Sequence, residues 1–388
     1  IPSILLVSNW ILSFKASLTV AVEVCLLTAA QLQNREFYDL PGIRSNHFVL
    51  QWHITERCNL KCIHCYQDQP PSDELNFEQL CLIIEQFKAL LRKLQEQRRL
   101  KKLTGLINVT GGEPLFRGDF FDLLQKFVEN RDHFRFGILT NGTLIDADVA
   151  RRISELNPAF VQVSLEGSKK TNDAIRGEGT FDRITSALQH LAEHGAKTVI
   201  SFTAHRHNYH EFLDVARIGC QLGVTRVWAD RLIPCGAGLA LDAQVLTTEE
   251  THELFEIMYT AHKKSQKQFC STEIYMGRAL QFLVGGGEPY HCVAGNSLVA
   301  LQANGELYPC RRMPINVGNL LETPLVDLYE QCELFQKLRR NEISNGCEIC
   351  SFNRKCRGGL KCLSYAVYGN PFVADPGCWR ETERQTQG

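Results

Sequence analysis

The chain has 388 residues, a formal net charge of -1 and 16 cysteines. A near-neutral charge balance argues against a nucleic-acid-binding protein, which would carry a basic excess, so we expect no nucleic-acid partner. The length allows one large domain and a smaller one beside it. Many cysteines stand in tight Cys-x-x-Cys spacings, which suit a metal centre better than a disulfide framework and favour a reducing, cytoplasmic compartment.

The N-terminal segment is apolar but interrupted by charges. Residues 1–33 contain long apolar runs that are broken by Lys15 and Glu23. A membrane span needs about 20 mostly apolar residues, so this segment is a weak candidate. It also lacks the basic region and the clear cleavage site of a signal peptide. We therefore predict an N-terminal appendage over residues 1–46 and no membrane span.

Strand-like and helix-like patterns alternate from His47 onward. The predicted strands cover residues 48–55, 103–110, 134–140, 160–165, 198–203 and 226–233. The predicted helices cover residues 76–97, 120–130, 146–155, 181–194 and 211–222. This alternation predicts an α/β fold in which βα units build a parallel sheet, a partial (β/α)6 version of the TIM-like barrel. The chemistry of such sheets lies at the carboxyl ends of the strands.

The pattern changes after Pro234. A helix is predicted over residues 248–264, and the remaining third is loop-rich and dense in Cys and Gly. A region that buries little apolar surface can be held together by metal instead. We predict a barrel domain over 47–247, a bridging region over 248–291 and a loop-rich, cluster-binding C-terminal domain over 292–388.

A three-cysteine loop follows the first predicted strand. Cys58, Cys62 and Cys65 have the spacing Cys-x3-Cys-x2-Cys. A [4Fe–4S] cluster is normally held by four thiolates, so three would leave one iron open for a small chelating ligand. Zinc is the alternative, with His64 as its fourth ligand, although zinc sites more usually bring a second Cys/His pair.

This loop resembles the signature of radical S-adenosylmethionine (radical SAM) enzymes. The resemblance implies that S-adenosylmethionine chelates the open iron. It also implies that an electron donor such as flavodoxin or ferredoxin reduces the cluster, which splits the cofactor and yields a 5′-deoxyadenosyl radical that abstracts hydrogen. In such enzymes the protein supplies orientation and exclusion of water.

Other motifs match the family's cofactor pocket. Gly112 and Glu113 stand in Gly-Gly-Glu-Pro after the second predicted strand. By resemblance they hold the methionine ammonium, and glycine permits a close approach. Asn141, after the third strand, belongs either to this pocket or to an ordinary turn.

Ser164 and Arg176 follow the fourth predicted strand. By resemblance to sulfatase-maturating enzymes, they hold the methionine carboxylate, for which a hydroxyl and a guanidinium are suitable partners. The alternatives are a plain strand-end serine and a solvated arginine. His64 matches a family position that lines the adenine, or it is a partly exposed loop residue.

The C-terminal cysteines resemble those of the SPASM domain, which binds two auxiliary clusters in maturases of peptides and proteins. Asn304-Gly305 predicts a hairpin turn that brings Cys292 and Cys310 near one another. By resemblance, the outer cluster is held by Cys347, Cys350, Cys356 and Cys378, and the inner cluster by Cys292, Cys310 and Cys362. The resemblance implies three [4Fe–4S] clusters in all.

Two departures from the family pattern concern the inner cluster. The family's usual Cys-x3-Cys is here Cys356-x5-Cys362, and no cysteine lies shortly before Cys292. We therefore expect three protein ligands. A non-catalytic Zn/Cys binding module is the alternative. Cysteines in apolar runs are expected to be core thiols, namely Cys25, Cys81, Cys220 and Cys332. Cys235, after the sixth strand, stays unassigned.

The residue after Cys310 limits which reactions the enzyme can be expected to catalyse. Sulfatase-maturating relatives carry Asp after the cysteine that matches Cys310, and this chain has Arg311 and Arg312. The missing base makes sulfatase maturation doubtful, and two arginines suit a carboxylate-bearing peptide. We expect oxidative modification of a ribosomally made precursor peptide or protein, by a thioether or carbon–carbon crosslink. Maturation of a sulfatase or of a small-molecule cofactor precursor is the alternative, and no catalytic residue is assigned.

Overall fold

Alternating strands and helices form an open parallel sheet in the computed structural model, which describes residues 46–67, 73–267, 270–340 and 342–380. Nearly all of the predicted 1–46 appendage, with Cys25, lies outside the described residues. Among the described residues, no helix combines the length and the apolar character that crossing a membrane requires.

The first six strands carry the predicted βα units. The strands are β1 (His47–His53), β2 (Thr104–Thr110), β3 (Phe134–Thr140), β4 (Val161–Ser164), β5 (Thr198–Ala204) and β6 (Arg226–Arg231). The helices are α1 (Phe77–Gln97), α2 (Phe120–Glu129), α3 (Ala147–Glu155), α4 (Lys169–Arg176), α5 (Thr180–Glu193) and α6 (Phe212–Gln221). The short helix α4 is an addition to the prediction, since its polar sequence carries little apolar periodicity.

After the 20-residue helix α7 (Thr248–Lys267), the C-terminal part has shorter elements. They are β7 (Glu273–Tyr275), α8 (Phe282–Gly285), β8 (Leu298–Leu301), β9 (Leu307–Tyr308), α9 (Leu325–Gln331), α10 (Glu333–Arg339), α11 (Asn353–Cys356) and α12 (Lys361–Tyr368). The predicted hairpin is confirmed, because β8 and β9 pair antiparallel and Gly305 at the turn has φ +89°. Such a φ favours glycine.

Within the described residues, the sheet has nine strands in the order β7-β6-β5-β4-β3-β2-β1-β8-β9. Every neighbouring pair except β8 and β9 is parallel. The predicted partial barrel is thus confirmed, and it is extended by β7 at one edge and β8 at the other. Since β8 pairs with β1, the start of the predicted C-terminal domain shares the barrel's sheet, and the domain boundaries stay a prediction.

Apolar side chains from the sheet and the surrounding helices form the core. Helix α1 begins with a reciprocal capping box between Asn76 and Gln79 and turns seven apolar residues inward. Phe87 of this helix contacts Phe48 of β1 and Phe134 of β3, with ring centroids 6.2 and 5.8 Å apart. This packing fixes the strand ends, from which the functional loops emerge.

Cys220 and Cys270 form a disulfide between the end of α6 and the segment before β7, with Cα atoms 6.0 Å apart. The expectation that Cys220 is a free core thiol is therefore wrong. The strand order explains the error, because β7 pairs with β6 and so returns the chain to α6, within disulfide range.

Candidate active site and cluster-binding loops

The three-cysteine loop, residues 58–65, lies between β1 and α1 at the carboxyl edge of the sheet. Burial, together with the nearby charges of Glu113 and of the other two cysteines of the loop, raises the pKa of Cys58 to about 11. The three thiols are thus brought together. The loop is tied to α4, since the Ile63 amide donates to the Ile175 carbonyl, 3.1 Å away.

The Gly-Gly-Glu-Pro turn after β2 docks against the chain leading into this loop. The amides of Gly112 and Glu113 donate to the carbonyls of Thr55 and Arg57, each at 2.9 Å. A Cβ at Gly111, which has φ +147°, would lie 2.2 Å from the Thr55 carbonyl oxygen. A Cβ at Gly112 would lie 2.3 Å from the Arg57 oxygen. Only glycines permit this close approach.

Glu113 is fully buried behind the turn. It accepts hydrogen bonds from Thr140 Oγ1 and the Asn141 amide, both at 2.8 Å, and from the Leu115 amide. Burial raises its pKa to about 7, and these hydrogen bonds offset the rise only in part. A nearby cation would favour the charged carboxylate, so the site suits an ammonium group.

Asn141 connects the end of β3 to the cysteine loop. Its Nδ2 lies 3.0 Å from Asn59 Oδ1 and 3.8 Å from Cys58 Sγ. Its Oδ1 accepts from the amide and the hydroxyl of Thr143. Asn141 therefore combines turn chemistry with a place beside the first cysteine, and its role toward a cofactor stays a prediction.

A buried ionic cluster lies on the other side of the loop, around Glu166. This carboxylate accepts from Arg176, from the Thr203 amide at 2.7 Å and from His64 Nε2 at 3.1 Å. Burial alone would raise the pKa of Glu166, but Arg176 and His64 outweigh it and hold the pKa at about 2. The glutamate is ionised at neutral pH.

Arg176 and His64 are both buried. The alternatives of a solvated arginine and a partly exposed loop histidine are therefore wrong. Arg176 Nη1 lies 3.7 Å from Cys62 Sγ, so its guanidinium bridges Glu166 and the cysteine loop. Ser164 is half-buried, with its Oγ 3.4 Å from Ser201 Oγ. Of the predicted carboxylate partners, Ser164 thus ends β4 and Arg176 ends the helix α4 that follows it. Their contact with a cofactor stays a prediction.

The residues around the three-cysteine loop fit the cluster and the S-adenosylmethionine that the sequence implies. His64 Nδ1 and Arg176 Nε are buried without a hydrogen-bond partner among the described residues. Together with three clustered thiols and a carboxyl of raised pKa, they offer donors and acceptors to a ligand that carries both charges. A cluster chelated by S-adenosylmethionine is such a ligand.

The outer cysteine set, Cys347, Cys350, Cys356 and Cys378, lines one pocket. Asp375, at the same pocket, accepts from Arg231 Nη1 at 2.8 Å and Nη2 at 2.6 Å. It also accepts from the Leu360 and Gly377 amides. The Arg231–Asp375 pair is almost fully buried, and it ties the outer cysteine set to β6.

The inner cysteine set, Cys292, Cys310 and Cys362, also comes together. Burial raises the pKa of Cys362, Arg312 lowers it, and Cys310 and Cys292 raise it again. Cys235, after β6, packs in the same apolar cluster as Cys310 and Cys362. The structure thus gathers both predicted sets of thiols, and their assignment as ligands stays a prediction.

Lys361 is a buried cation between the two cysteine sets. Lys361 is 5% exposed, and its Nζ donates to Ser344 Oγ and the Pro371 carbonyl, at 3.4 and 3.3 Å. The Nζ also lies 5.0 Å from the Phe372 ring centroid, and within the described residues it has no carboxylate partner. Burial lowers its pKa, and the charges of Cys292 and Cys347 oppose that change. A buried ammonium without a carboxylate partner fits anionic clusters on both sides.

The zinc alternative has no support from the geometry. In the described part of the chain, no three His, Cys, Asp or Glu side chains are grouped as one metal ion requires. The thiolate ligands of a cubane bind different irons, so a cluster does not require its cysteines to be grouped as closely as the ligands of one metal ion.

Two family models match the chain. The radical SAM superfamily matches residues 52–218, and the SPASM iron–sulfur cluster-binding domain matches residues 292–357. The chain therefore carries a radical SAM domain followed by a SPASM domain. The recognition made from the cysteine loop and the C-terminal cysteines is confirmed.

Similar proteins cover most of this radical SAM chain. AdoMet-dependent heme synthase of Nitratidesulfovibrio vulgaris is 25% identical over 87% of this chain and 94% of its own. Mycofactocin maturase MftC of Mycolicibacterium smegmatis is 28% identical over 85% and 82%. The crystal structure of Streptococcus suis SuiB bound to precursor peptide SuiA has a TM-score of 0.62 at 17% identity, over 85% and 75%. The last likeness shows the shared fold.

A cavity of about 740 Å³ lies between the three-cysteine loop and the SPASM domain. From the first part of the chain it is lined by His53, Tyr66 and Gln67, and from the end of β6 by Pro234 and Cys235. From the SPASM side it is lined by Gln302, Glu306, Tyr308, Arg311, Arg312 and Tyr365. Tyr66 follows the third cysteine of the three-cysteine loop, and Arg311 follows Cys310, so both cluster regions border this cavity.

Sequence reasoning missed three charged residues of this site. Glu166 stands directly after β4, where a charged residue at a strand end is a signal for function. Asp230 is an acid inside a buried strand, which also signals a partner. Asp375 carries no such signal, because its partner Arg231 is 144 residues away in the sequence.

Proposed function

We propose that this chain is a radical SAM/SPASM maturase that oxidatively modifies a ribosomally made peptide. The observation that supports this most directly is the 740 Å³ cavity. It is bordered by Tyr66, directly after the three-cysteine loop of residues 58–65 (the radical loop), and by the residues after Cys310. A substrate in this cavity would meet the radical chemistry on one side and an acceptor of electrons on the other.

Three [4Fe–4S] clusters are proposed. Cys58, Cys62 and Cys65 would hold the catalytic one, and the outer and inner cysteine sets the auxiliary ones. When bound, cluster and S-adenosylmethionine supply the radical that takes a hydrogen atom from the substrate, and the auxiliary clusters accept the second electron. Glu113 would bind the cofactor's ammonium, with the Gly112 backbone beside it.

The remaining cofactor contacts are proposed for the opposite side of the radical loop. Ser164 and Arg176 would bind the methionine carboxylate, and the buried His64 would lie against the adenine. Flavodoxin or ferredoxin would supply the first electron. We propose the reducing cytoplasm as the compartment because the proposed cluster ligands must be thiolates. The disulfide Cys220–Cys270 involves none of these cysteines and does not outweigh them.

A peptide substrate is supported by similar proteins. SuiB shares the fold and has been seen bound to its precursor peptide, and MftC, 28% identical, is a maturase. The cavity is lined by residues of the radical SAM domain and of the SPASM domain. A peptide bound between the two would have a side chain beside Tyr66.

A small-molecule precursor is the second candidate. The cavity volume falls in the range of about 300–1,000 Å³ that is typical of small-molecule sites. AdoMet-dependent heme synthases that are 24–25% identical to this chain also support a small-molecule substrate. Sulfatase maturation has less support, because Arg311 occupies the position of the relatives' Asp.

The bond formed depends on the inner cluster. With Cys292, Cys310 and Cys362 as its protein ligands, one iron would be open to a substrate thiolate, which favours a thioether over a carbon–carbon crosslink. Cys235 is the residue that could close this position, because it packs in the same apolar cluster. Electron paramagnetic resonance of Cys235→Ser separates the two cases: an altered inner-cluster signal would remove the thioether preference.

The proposal is tested by co-expression with each short reading frame beside the gene, followed by mass spectrometry of the peptide. We expect a peptide that has lost the mass of two hydrogens for each new bond. The variant with Cys58, Cys62 and Cys65 replaced by Ala is the control, and it should leave the peptide unchanged. Unmodified peptides together with a modified small molecule would favour the second candidate instead.

A further inference from the structure

Two adjacent arginines at the cavity, Arg311 and Arg312, have different surroundings. Arg312 Nη2 lies 2.6 Å from Oδ2 of the buried Asp230, which also accepts from Arg278 at 2.7 Å. Burial would lower the pKa of Arg312, but Asp230 and Cys362 raise it. Arg312 thus has anionic partners within the protein, since it shares the carboxylate of Asp230 with Arg278 and faces the inner cysteine set.

Arg311 has no ion pair and no hydrogen bond within the residues that the structure describes, and its Nε is buried without a partner. Its guanidinium carbon lies 5.6 Å from the ring centroid of Tyr66, and its side chain lines the cavity. Burial and the Arg311 charge lower the pKa of nearby His53 to about 3, so this histidine is neutral. A half-buried guanidinium calls for an anion in the cavity. Glu56 and Glu306 line the same cavity, but within the described residues Arg311 forms an ion pair with neither.

The other two internal candidates for that anion have partners of their own. Negative charge on the inner cysteine set is faced by Arg312. The methionine carboxylate of the cofactor has its predicted partners, Ser164 and Arg176, at the end of β4 and in α4. The anion that remains is one that the substrate brings.

We propose that Arg311 binds a carboxylate of the substrate beside Tyr66, next to the radical loop. This inference rests on the proposed function and names its substrate class: a molecule whose reacting residue carries or neighbours a carboxylate. Glu56 and Glu306 also line the cavity and would repel this group. A position beside Arg311 is therefore favoured for the substrate's carboxylate over a position beside either glutamate.

Chemical modification of arginine tests the inference without turnover. The holoenzyme is treated with phenylglyoxal, and modification of each arginine is followed by peptide mass spectrometry. Two probes carry a carboxylate: N-benzoylglycine, which imitates a peptide C-terminus, and 4-phenylbutyrate, which imitates an acidic side chain. N-benzoylglycinamide is the neutral control.

We expect near-saturating carboxylate to slow modification of Arg311 about tenfold by occupancy, whereas the amide leaves it unchanged. The carboxylate that protects at the lower concentration identifies the source, a C-terminus or a side chain. Arg312, held by Asp230, and the exposed Arg151 are internal references whose rates should not respond.

Three results would overturn the inference. Arg311 could be inert to phenylglyoxal, neither carboxylate could protect it, or the amide could protect it equally. None of these depends on peptide modification, so the inference can fail while the proposed function stands. Conversely, protection of Arg311 without any modified peptide would leave the anion site and remove the proposed function.

Discussion

The radical loop and the outer cysteine set hold their thiols in different ways. The radical loop lies among four strand ends, and Asn141, Glu166 and Arg176 form hydrogen bonds with it or with each other. The outer cysteine set lies in the SPASM domain among short helices and loops, and one buried ion pair, Arg231–Asp375, ties it to the barrel.

This difference has a physical consequence. A loop held by several strand ends keeps its shape when one ligand is lost, because the sheet supports each contact separately. A cysteine set with few regular elements depends more on metal and on its few anchoring contacts, among them the buried Arg231–Asp375 pair. We therefore expect changes at the radical loop to affect chemistry and changes at the outer set to affect folding.

The largest expected effect is on chemistry. Replacing Cys58, Cys62 and Cys65 by Ala should abolish cleavage of S-adenosylmethionine to 5′-deoxyadenosine, since no thiolate would remain for the catalytic cluster. The auxiliary clusters should remain, so the variant should lose about a third of its iron. Anaerobic product analysis and iron determination check both statements. Full cleavage by this variant would rule out the assignment of the loop.

The next effect is on stability. Asp375→Asn should leave Arg231 as an uncompensated buried charge, which typically costs about 3–5 kcal/mol of unfolding free energy. Urea unfolding measures this loss, and iron content should show a depleted outer cluster. Asp148→Ala, which breaks an exposed pair with Arg151 on α3, is the control and should leave the midpoint unchanged. Equal midpoints for Asp375→Asn and wild type would show that the anchor is dispensable.

Arg176 provides a smaller test at the radical loop. If it binds the cofactor's carboxylate, Arg176→Gln loses a charge-assisted contact of about 1.5–3 kcal/mol, which is tenfold or more in the dissociation constant of S-adenosylmethionine. Glu166→Gln is the matched variant, because it releases Arg176 from its carboxylate partner while keeping the guanidinium.

The two variants separate binding from support. A binding role predicts weak cofactor affinity for Arg176→Gln and retained affinity for Glu166→Gln. A purely structural pair predicts that both variants bind S-adenosylmethionine equally poorly and unfold at lower urea concentration. Titration calorimetry with the cluster-loaded proteins distinguishes these outcomes.

Local signals in the sequence allowed much of this to be predicted. The alternation of apolar runs predicted six strands, and the cysteine spacings pointed to the two domains. Contacts between distant residues were not predictable, because pairs such as Arg231 with Asp375 join residues that lie 144 positions apart in the sequence. The small edge strand β7 was missed for a similar reason, since three residues carry too little periodicity.

The smallest effect concerns pH and Glu113. Burial raises the pKa of this carboxyl to about 7, above its value in the unfolded chain, so the folded protein holds the proton more tightly. An ammonium ligand needs the ionised form. Affinity for S-adenosylmethionine should therefore fall about tenfold between pH 8 and pH 6, as Glu113 takes up its proton.

Glu113→Gln separates this effect from the cofactor's own titration. The variant keeps the size of the side chain but has no charge to lose, so its affinity should be low at pH 8 and should lack the decrease toward pH 6. The free energy of unfolding should change with pH in the opposite direction to the cofactor affinity. Because the pKa of Glu113 is raised in the folded state, its contribution favours folding at low pH and is lost as the pH rises toward 7. An affinity in the wild type that does not change between pH 6 and 8 would show that Glu113 does not bind the ammonium and only joins the turn after β2 to the end of β3.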